Sequence, residues 1–125
     1  MKRILVTGSR RWADVNRIRR VLHNANTRYG KCVLIHGSAE GADRIAARVA
    51  AEELEWEVEQ YPAEWKKHGK TAGPVRNERM LFRGQPDICF AFPLPGSKGT
   101  YDMMERAQKL IPVFDFSTGG EIAHD

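Results

Sequence analysis

The chain has 125 residues, a formal net charge of +4, 42% hydrophobic and 29% charged residues, and two cysteines. That length suits one domain whose core needs no disulfide or metal staple, and the composition is that of a folded globular chain rather than a disordered one. No apolar run approaches the roughly 20 residues of a membrane helix, and the apolar part of MKRILVTGS is too short for a secretory signal, so a cytoplasmic protein without a membrane partner is expected.

In chain order, the first apolar run, Ile4 to Thr7, predicts a strand that leaves into VTGSRRW. There Thr7, Gly8, Ser9 and Arg10 put two hydroxyls, a bare backbone and a guanidinium within one turn. Such a set either closes a tight turn or surrounds an anion. Asp14 can cap a helix predicted over Asn16 to Thr27. The second strand, Cys32 to His36, runs into HGSAEGAD, where Gly37, Ser38 and Gly41 belong to a compact turn. Asp43 stands in the first turn of a helix predicted over Ala42 to Leu54, either as a carboxylate favoured by the helix dipole or as a ligand contact. After a third strand, Val58 to Tyr61, comes the longest irregular connection, Pro62 to Ala72, dense in cations. It leads to a helix predicted over Pro74 to Phe82, with Pro74 at an initial position where its missing donor costs nothing.

The fourth strand, Ile88 to Phe92, leaves into PLPGSKGT. Gly96 and Gly99 let the backbone approach a ligand closely. Thr100 and the N–H groups of the helix over Tyr101 to Leu110 can hold phosphate or ribose oxygens. The spacing is neither the GxxxxGK-Ser/Thr of a Walker loop nor the dinucleotide GxGxxG, which weakens an ATPase or dehydrogenase reading. Pro112 to Phe116 is the fifth strand, and after Gly119 no packing pattern remains. A domain over 1–118 with a frayed tail over 119–125 is expected.

Strand and helix alternate throughout, and ILV, VLI and ICFAF are continuously apolar, as strands covered on both faces are. The expected fold is a single Rossmann-like three-layer α/β domain with a five-stranded parallel sheet in the order 3-2-1-4-5. The chain would cross the sheet in the long connection after strand three. Ligands bind such sheets beyond the strand carboxyl ends where the order reverses, here between strands one and four. Cys32 and Cys89 read as buried free thiols. His23, His36, His68 and His124 form no chelating pattern, so neither a metal nor a cofactor is expected. A pI near 9.3 keeps nucleic acid open as a partner, but the cations gather at strand ends rather than along one helix, which favours a small anionic ligand.

The blocks VTGSRRWAD, HGSAEGADRIA, PAEWKKHGKTAGPVRNERM, PDICFAFP and GTYDMMERA followed by IPVF run in this order from Val6 to Phe114. Together they resemble the YspA-like members of the SLOG superfamily, which also holds the LONELY GUY phosphoribohydrolases and the DNA-processing protein A fold. The resemblance implies a Rossmann-like nucleotide-binding domain, often a homodimer, with a nucleotide or nucleotide-derived ligand and no settled reaction. A sensor or sequestering protein is the leading expectation. Nucleotide N-glycosidic or phosphoribo-hydrolysis is the alternative, and a nucleic-acid-binding module a further one.

In the phosphoribohydrolases an Arg-Lys-x-x-Met segment lies on a helix upstream of PGGxGTxxE. Arg76, Asn77 and Met80 look like the counterpart of the first, and PGSKGT of the second, with Ser97 replacing a motif glycine. By that resemblance Arg76 is aimed at a ligand anion or ribose, and Lys70, Thr71 and Gly73 form a covering loop. Trp65 anchors that loop or offers a platform to a base, the anchor being the stronger expectation because a long loop needs something to hold it. The motif glutamate falls on Met103. Asp102 and Glu105 are the nearest carboxylates, but at about 100° per residue neither should point where that glutamate does. Binding without cleavage is therefore expected, with Arg76, Asp102 and Glu105, or Asp43, as catalytic candidates if cleavage occurs. Met80, Leu81, Phe82, Met103 and Met104 serve either a dimer face or the core.

Overall fold

The fold described below is that of a computed structural model, which describes residues 1–117; the tail predicted over 119–125 lies outside them. Five parallel strands, β1 (Arg3–Gly8), β2 (Val33–His36), β3 (Glu57–Gln60), β4 (Ile88–Phe92) and β5 (Val113–Asp115), form one sheet in the order β3-β2-β1-β4-β5. This is the order expected from the sequence. Leu5 sits at its centre, in register with Ile35 on one side and Cys89 on the other.

The three layers follow from the period-two alternation of the central strands. Ile4, Val6, Leu34, Phe90 and Phe92 face one core, which α1 (Val15–Tyr29) and α2 (Ala42–Arg48) close with Ile18, Val21, Leu22 and Ala46. Leu5, Val33, Ile35 and Cys89 face the other, covered by α4 (Ala72–Gly84) and α5 (Lys98–Gln108) through Met80, Leu81, Met103 and Ala107. A buried stripe of Ile18, Val21, Leu22 and Ala25 defines α1. The Asp14 carboxylate accepts from the Arg17 N–H at 3.1 Å at its start, and Gly30 turns the chain at φ +77° after its end. Gly84 lets α4 approach β2, because a Cβ there would lie 3.2 Å from two atoms of the Ile35 side chain.

Several expectations need correction. The connection over Pro62 to Ala72 is not irregular throughout: α3 (Trp65–His68) and a 3-10 turn over Gly69–Thr71 run directly into α4. The cations there sit on helical turns too short to show an apolar stripe, so periodicity could not reveal them. The helix predicted over Ala42 to Leu54 ends as a regular α-helix at Arg48 and continues as a π-helical turn over Val49–Glu53, with the Leu54 N–H bonded to the Val49 carbonyl. An apolar pattern does not distinguish closure to the fourth residue from closure to the fifth. α4 and α5 begin earlier than predicted, at Ala72 and Lys98, since glycine and proline are tolerated in a first turn.

Of the five apolar residues weighed for a dimer face, Met80, Leu81 and Met103 are core and Met104 is half-buried. Phe82, on the outer side of α4, is exposed. No helix among the described residues is long and apolar enough to cross a membrane.

Candidate functional site

At the carboxyl ends of β1 and β4, where the strand order reverses, the described residues enclose a cleft of about 630 Å3. Four chain segments build it. The first is the β1 exit, Thr7 to Arg11. The Ser9 N–H donates to the Phe92 carbonyl at 3.0 Å and its carbonyl accepts from the Ala42 N–H at 3.1 Å, so this turn is tied to both β4 and α2. The Ser9 hydroxyl accepts from the Arg11 N–H at 3.0 Å. Gly8 has no room for a side chain, because a Cβ would run into that of Ala42 and lie 3.0 Å from Phe92.

The second segment follows β2. Gly37, Ala39 and Asp43 line the cleft, and Asp43 is buried with its Oδ2 accepting from the Gly37 N–H at 3.0 Å and the Ala39 N–H at 3.3 Å. Its Oδ1 is buried without a protein partner among the described residues. Burial pushes the Asp43 carboxyl up to about 6, against the pull of those two N–H groups and of the nearby Arg76 guanidinium. His36, also buried, accepts from the Ser38 N–H at 2.9 Å through Nδ1, which places the proton of the neutral ring on Nε2. Burial first, then Arg76, lowers its pKa to about 4, so the ring is neutral at pH 7.

The third segment is the α3–α4 region. Arg76 reaches back from α4, donating from Nη1 to the Gly37 carbonyl and from Nε to Asn77 Oδ1 at 3.0 Å. Its Nη2 has no protein acceptor among the described residues. Burial lowers its pKa, Asp43 opposes that and Arg10 adds to it. Gly37 is glycine for a local reason, since a Cβ would collide with this guanidinium. Asn77, buried, bridges the helices by donating to the Gly99 carbonyl at 3.2 Å and to Asp102 at 3.0 Å. Trp65, Lys70, Gly73, Pro74 and Met80 complete this wall.

The fourth segment is the β4 exit and the start of α5, with Gly96, Ser97, Lys98, Gly99, Thr100 and Asp102. Gly96 takes φ +85°, a left-handed conformation suited to glycine. Ser97 Oγ accepts from the Leu94 N–H at 3.2 Å and leaves the first-turn N–H groups of α5 without a side-chain cap. First-turn donors have no partner inside their own helix and attract anions.

The structure thus gathers on one cleft Thr7, Gly8, Ser9, Arg10, Gly37, Asp43, Trp65, Lys70, Gly73, Arg76, Asn77, Gly96, Ser97, Gly99 and Thr100. Ser38 is set apart: at φ +64° its hydroxyl donates to Gln60 Oε1 at 3.2 Å, and it lines an adjoining cavity of about 240 Å3 instead. Glu105 is exposed on α5 and absent from both cavities. Asp102 points away from Met103, as the rotation argument expects. It lies on the cleft wall, because the position three residues after Thr100, Met103, is turned fully into the core. Trp65 touches the start of α4 at one ring edge and is 52% exposed at the cleft. Arg11, Ala39, Pro74, Met80 and Lys98 were not among the expected site residues. Arg11 and Lys98 sit inside the motifs TGSRRW and PGSKGT, so their charge beside those turns was the available signal. Five cations, Arg10, Arg11, Lys70, Arg76 and Lys98, face two carboxylates, Asp43 and Asp102.

Fold and cleft define a Rossmann-like α/β protein with a cationic site at its topological switch point. Comparison with known proteins narrows this. The model of the YspA, cpYpsA-related SLOG family matches residues 2–68, more than half of the chain, and the protein belongs to that family. It is also similar to the Gene 61 protein of Mycobacterium phage D29, 44% identical over 123 residues that cover 93% of this chain and 97% of the relative. No solved structure is a significant match.

Proposed function

We propose that the cleft binds a nucleotide or nucleotide-derived small molecule, as a sensor or sequestering protein does. The observation that carries this is Arg76: a half-buried guanidinium on the cleft wall, oriented by Gly37 and Asn77, with one terminal nitrogen free of protein acceptors among the described residues. Buried cations are paired or take a charged ligand, and a guanidinium suits phosphate geometry. The uncapped start of α5 supplies a second set of donors on the same cleft. Membership of a SLOG family agrees with a nucleotide-related role.

Cleavage of the ligand is the second reading, and Asp102 on the cleft wall is the observation that favours it. Against it, Asp102 is already occupied by Asn77 and by Arg106 Nε at 2.8 Å, and Met103 brings no carboxylate. An N-glycosidic reaction needs a carboxylate that can stabilise an oxocarbenium ion or prepare water. Binding alone is the better-supported function.

The test is calorimetry with nucleoside mono- and diphosphates and ADP-ribose. Arg76→Ala should weaken the best ligand at least about tenfold, the cost of one charge-assisted contact, with the fold intact by circular dichroism. Unchanged affinity removes Arg76 from the site. Chromatography of the same mixtures after hours should show no free base. Rapid base release that Asp102→Asn abolishes would establish the enzyme reading instead.

A further inference from the structure

The chain has three tryptophans, and the structure treats one differently. Trp12 and Trp56 are 3% and 4% exposed, and both indole N–H groups are satisfied, by the Asp14 carbonyl and by Asn26 Oδ1, each at 2.9 Å. Trp65, the first residue of α3, is 52% exposed, and its indole N–H has no protein partner among the described residues. Its Cη2 lies 3.8 Å from where a Cβ of Gly73 would stand, so the ring edge is seated against the start of α4 while much of the ring stays uncovered. Packing against α4 uses one edge of the ring and leaves much of a large aromatic surface open beside the cleft.

Trp65 also lines both cavities. The smaller one adds Pro62 and Ala63 as apolar walls and Ser38 and Glu40 as polar groups, while Arg10 and Arg76 are common to both. The larger holds the start of α5, the anion-attracting end of the site. One flat apolar surface and one cationic end are therefore joined through Arg76.

We propose that Trp65 is a stacking platform for a nucleobase, which occupies the smaller cavity while the phosphate of the same molecule lies at the start of α5. This rests on the nucleotide-binding reading above and extends it to which part of the ligand each cavity takes. Every base has a π-face, so the platform sets orientation and affinity, and selection among bases falls to the polar groups at Ser38 and Glu40.

The experiment is titration of the wild type, Trp65→Phe and Trp65→Ala with AMP, GMP, CMP, UMP, ADP-ribose and, as a base-free control, ribose 5-phosphate, followed by calorimetry and by tryptophan emission. Loss of one stacked base should cost Trp65→Ala about tenfold or more in affinity for the best nucleotide. Trp65→Phe should recover most of it, and affinity for ribose 5-phosphate should be the same in all three. Emission of the wild type should be quenched saturably, and that of Trp65→Phe should not respond, because its two remaining indoles are buried. Trp65→Ala binding the nucleotide as tightly as the wild type overturns the platform. So does an equal loss of ribose 5-phosphate, which would mean that Trp65 merely shapes the loop. A wild type that binds none of the nucleotides overturns the nucleotide reading itself, a result distinct from binding without a Trp65 contribution.

Discussion

Replacing Asp43 by Asn tests the electrostatics of the cleft floor directly. The amide oxygen can still accept from the Gly37 and Ala39 N–H groups, so the substitution removes the ionisation and keeps the hydrogen-bonding shape. The carboxyl titrates near 6 in the fold against an ordinary value of 3.8. The folded protein therefore holds a proton through a pH window in which the unfolded chain has released it. Stability from this group is fully present below about pH 4 and is lost as pH rises through about 6. Two pH units at 1.36 kcal/mol each give about 3 kcal/mol. His36 has the opposite sign: its folded pKa of about 4 lies below the ordinary 6.5, so its contribution is present above 6.5 and lost as pH falls towards 4. Between pH 4 and 6 the two slopes oppose, and the wild type should be nearly flat there as far as these groups are concerned. Asp43→Asn leaves His36 uncompensated. Urea unfolding at pH 4, 5, 6 and 7, followed by emission of the buried Trp12 and Trp56, should show the mutant gaining on the wild type by about 3 kcal/mol between pH 4 and 6.5. A mutant-minus-wild-type difference that stays constant with pH would refute the reasoning, because Asp43 would then ionise alike in both states.

Gly37→Ala should move the Arg76 guanidinium, since the new methyl collides with it; the obstacle is the end of a flexible side chain, so unfolding free energy should stay within about 2 kcal/mol of wild type while nucleotide affinity in calorimetry falls about tenfold. Cys32 and Cys89 are both buried, and burial raises both thiols, Cys89 to about 12, so neither should react with a thiol reagent at pH 8 until urea unfolds the chain. If the protein pairs through the outer side of α4, Phe82 is the exposed apolar residue there, and Phe82→Glu should turn a dimer into a monomer in light scattering at micromolar concentration; a monomeric wild type ends the dimer proposal.

What periodicity left open has a physical cause. Helical rotation set Asp102 apart from Met103 in the sequence, but which of the two faces the cleft depends on which side of α5 meets the sheet. Packing decides that: Thr100, Met103 and Ala107 form the buried stripe and carry Asp102 round to the cleft wall. Trp65 was expected to anchor a long loop that needs something to hold it, and in the structure that segment is α3 and a following turn with backbone hydrogen bonds of their own, packed on α4. The π-helical turn after Arg48 was invisible because one added backbone residue per turn leaves an apolar segment apolar.

The alternation of the five strands with the longer helices, and the parallel sheet and its order, were determined by the sequence alone. They depend on local periodicity, on turn residues and on handed connections, each of which is written within a short stretch of chain. What the tertiary structure decided is which groups inside those stretches touch. Arg76 meets Gly37 across 39 positions and Asn77 meets Asp102 across 25. The 52% exposure of Trp65 and the buried Oδ1 of Asp43, without a partner among the described residues, were equally beyond the sequence. Contact, burial and the pKa shifts that burial causes are properties of several segments at once, and they exist only after the two helical layers have closed on the sheet.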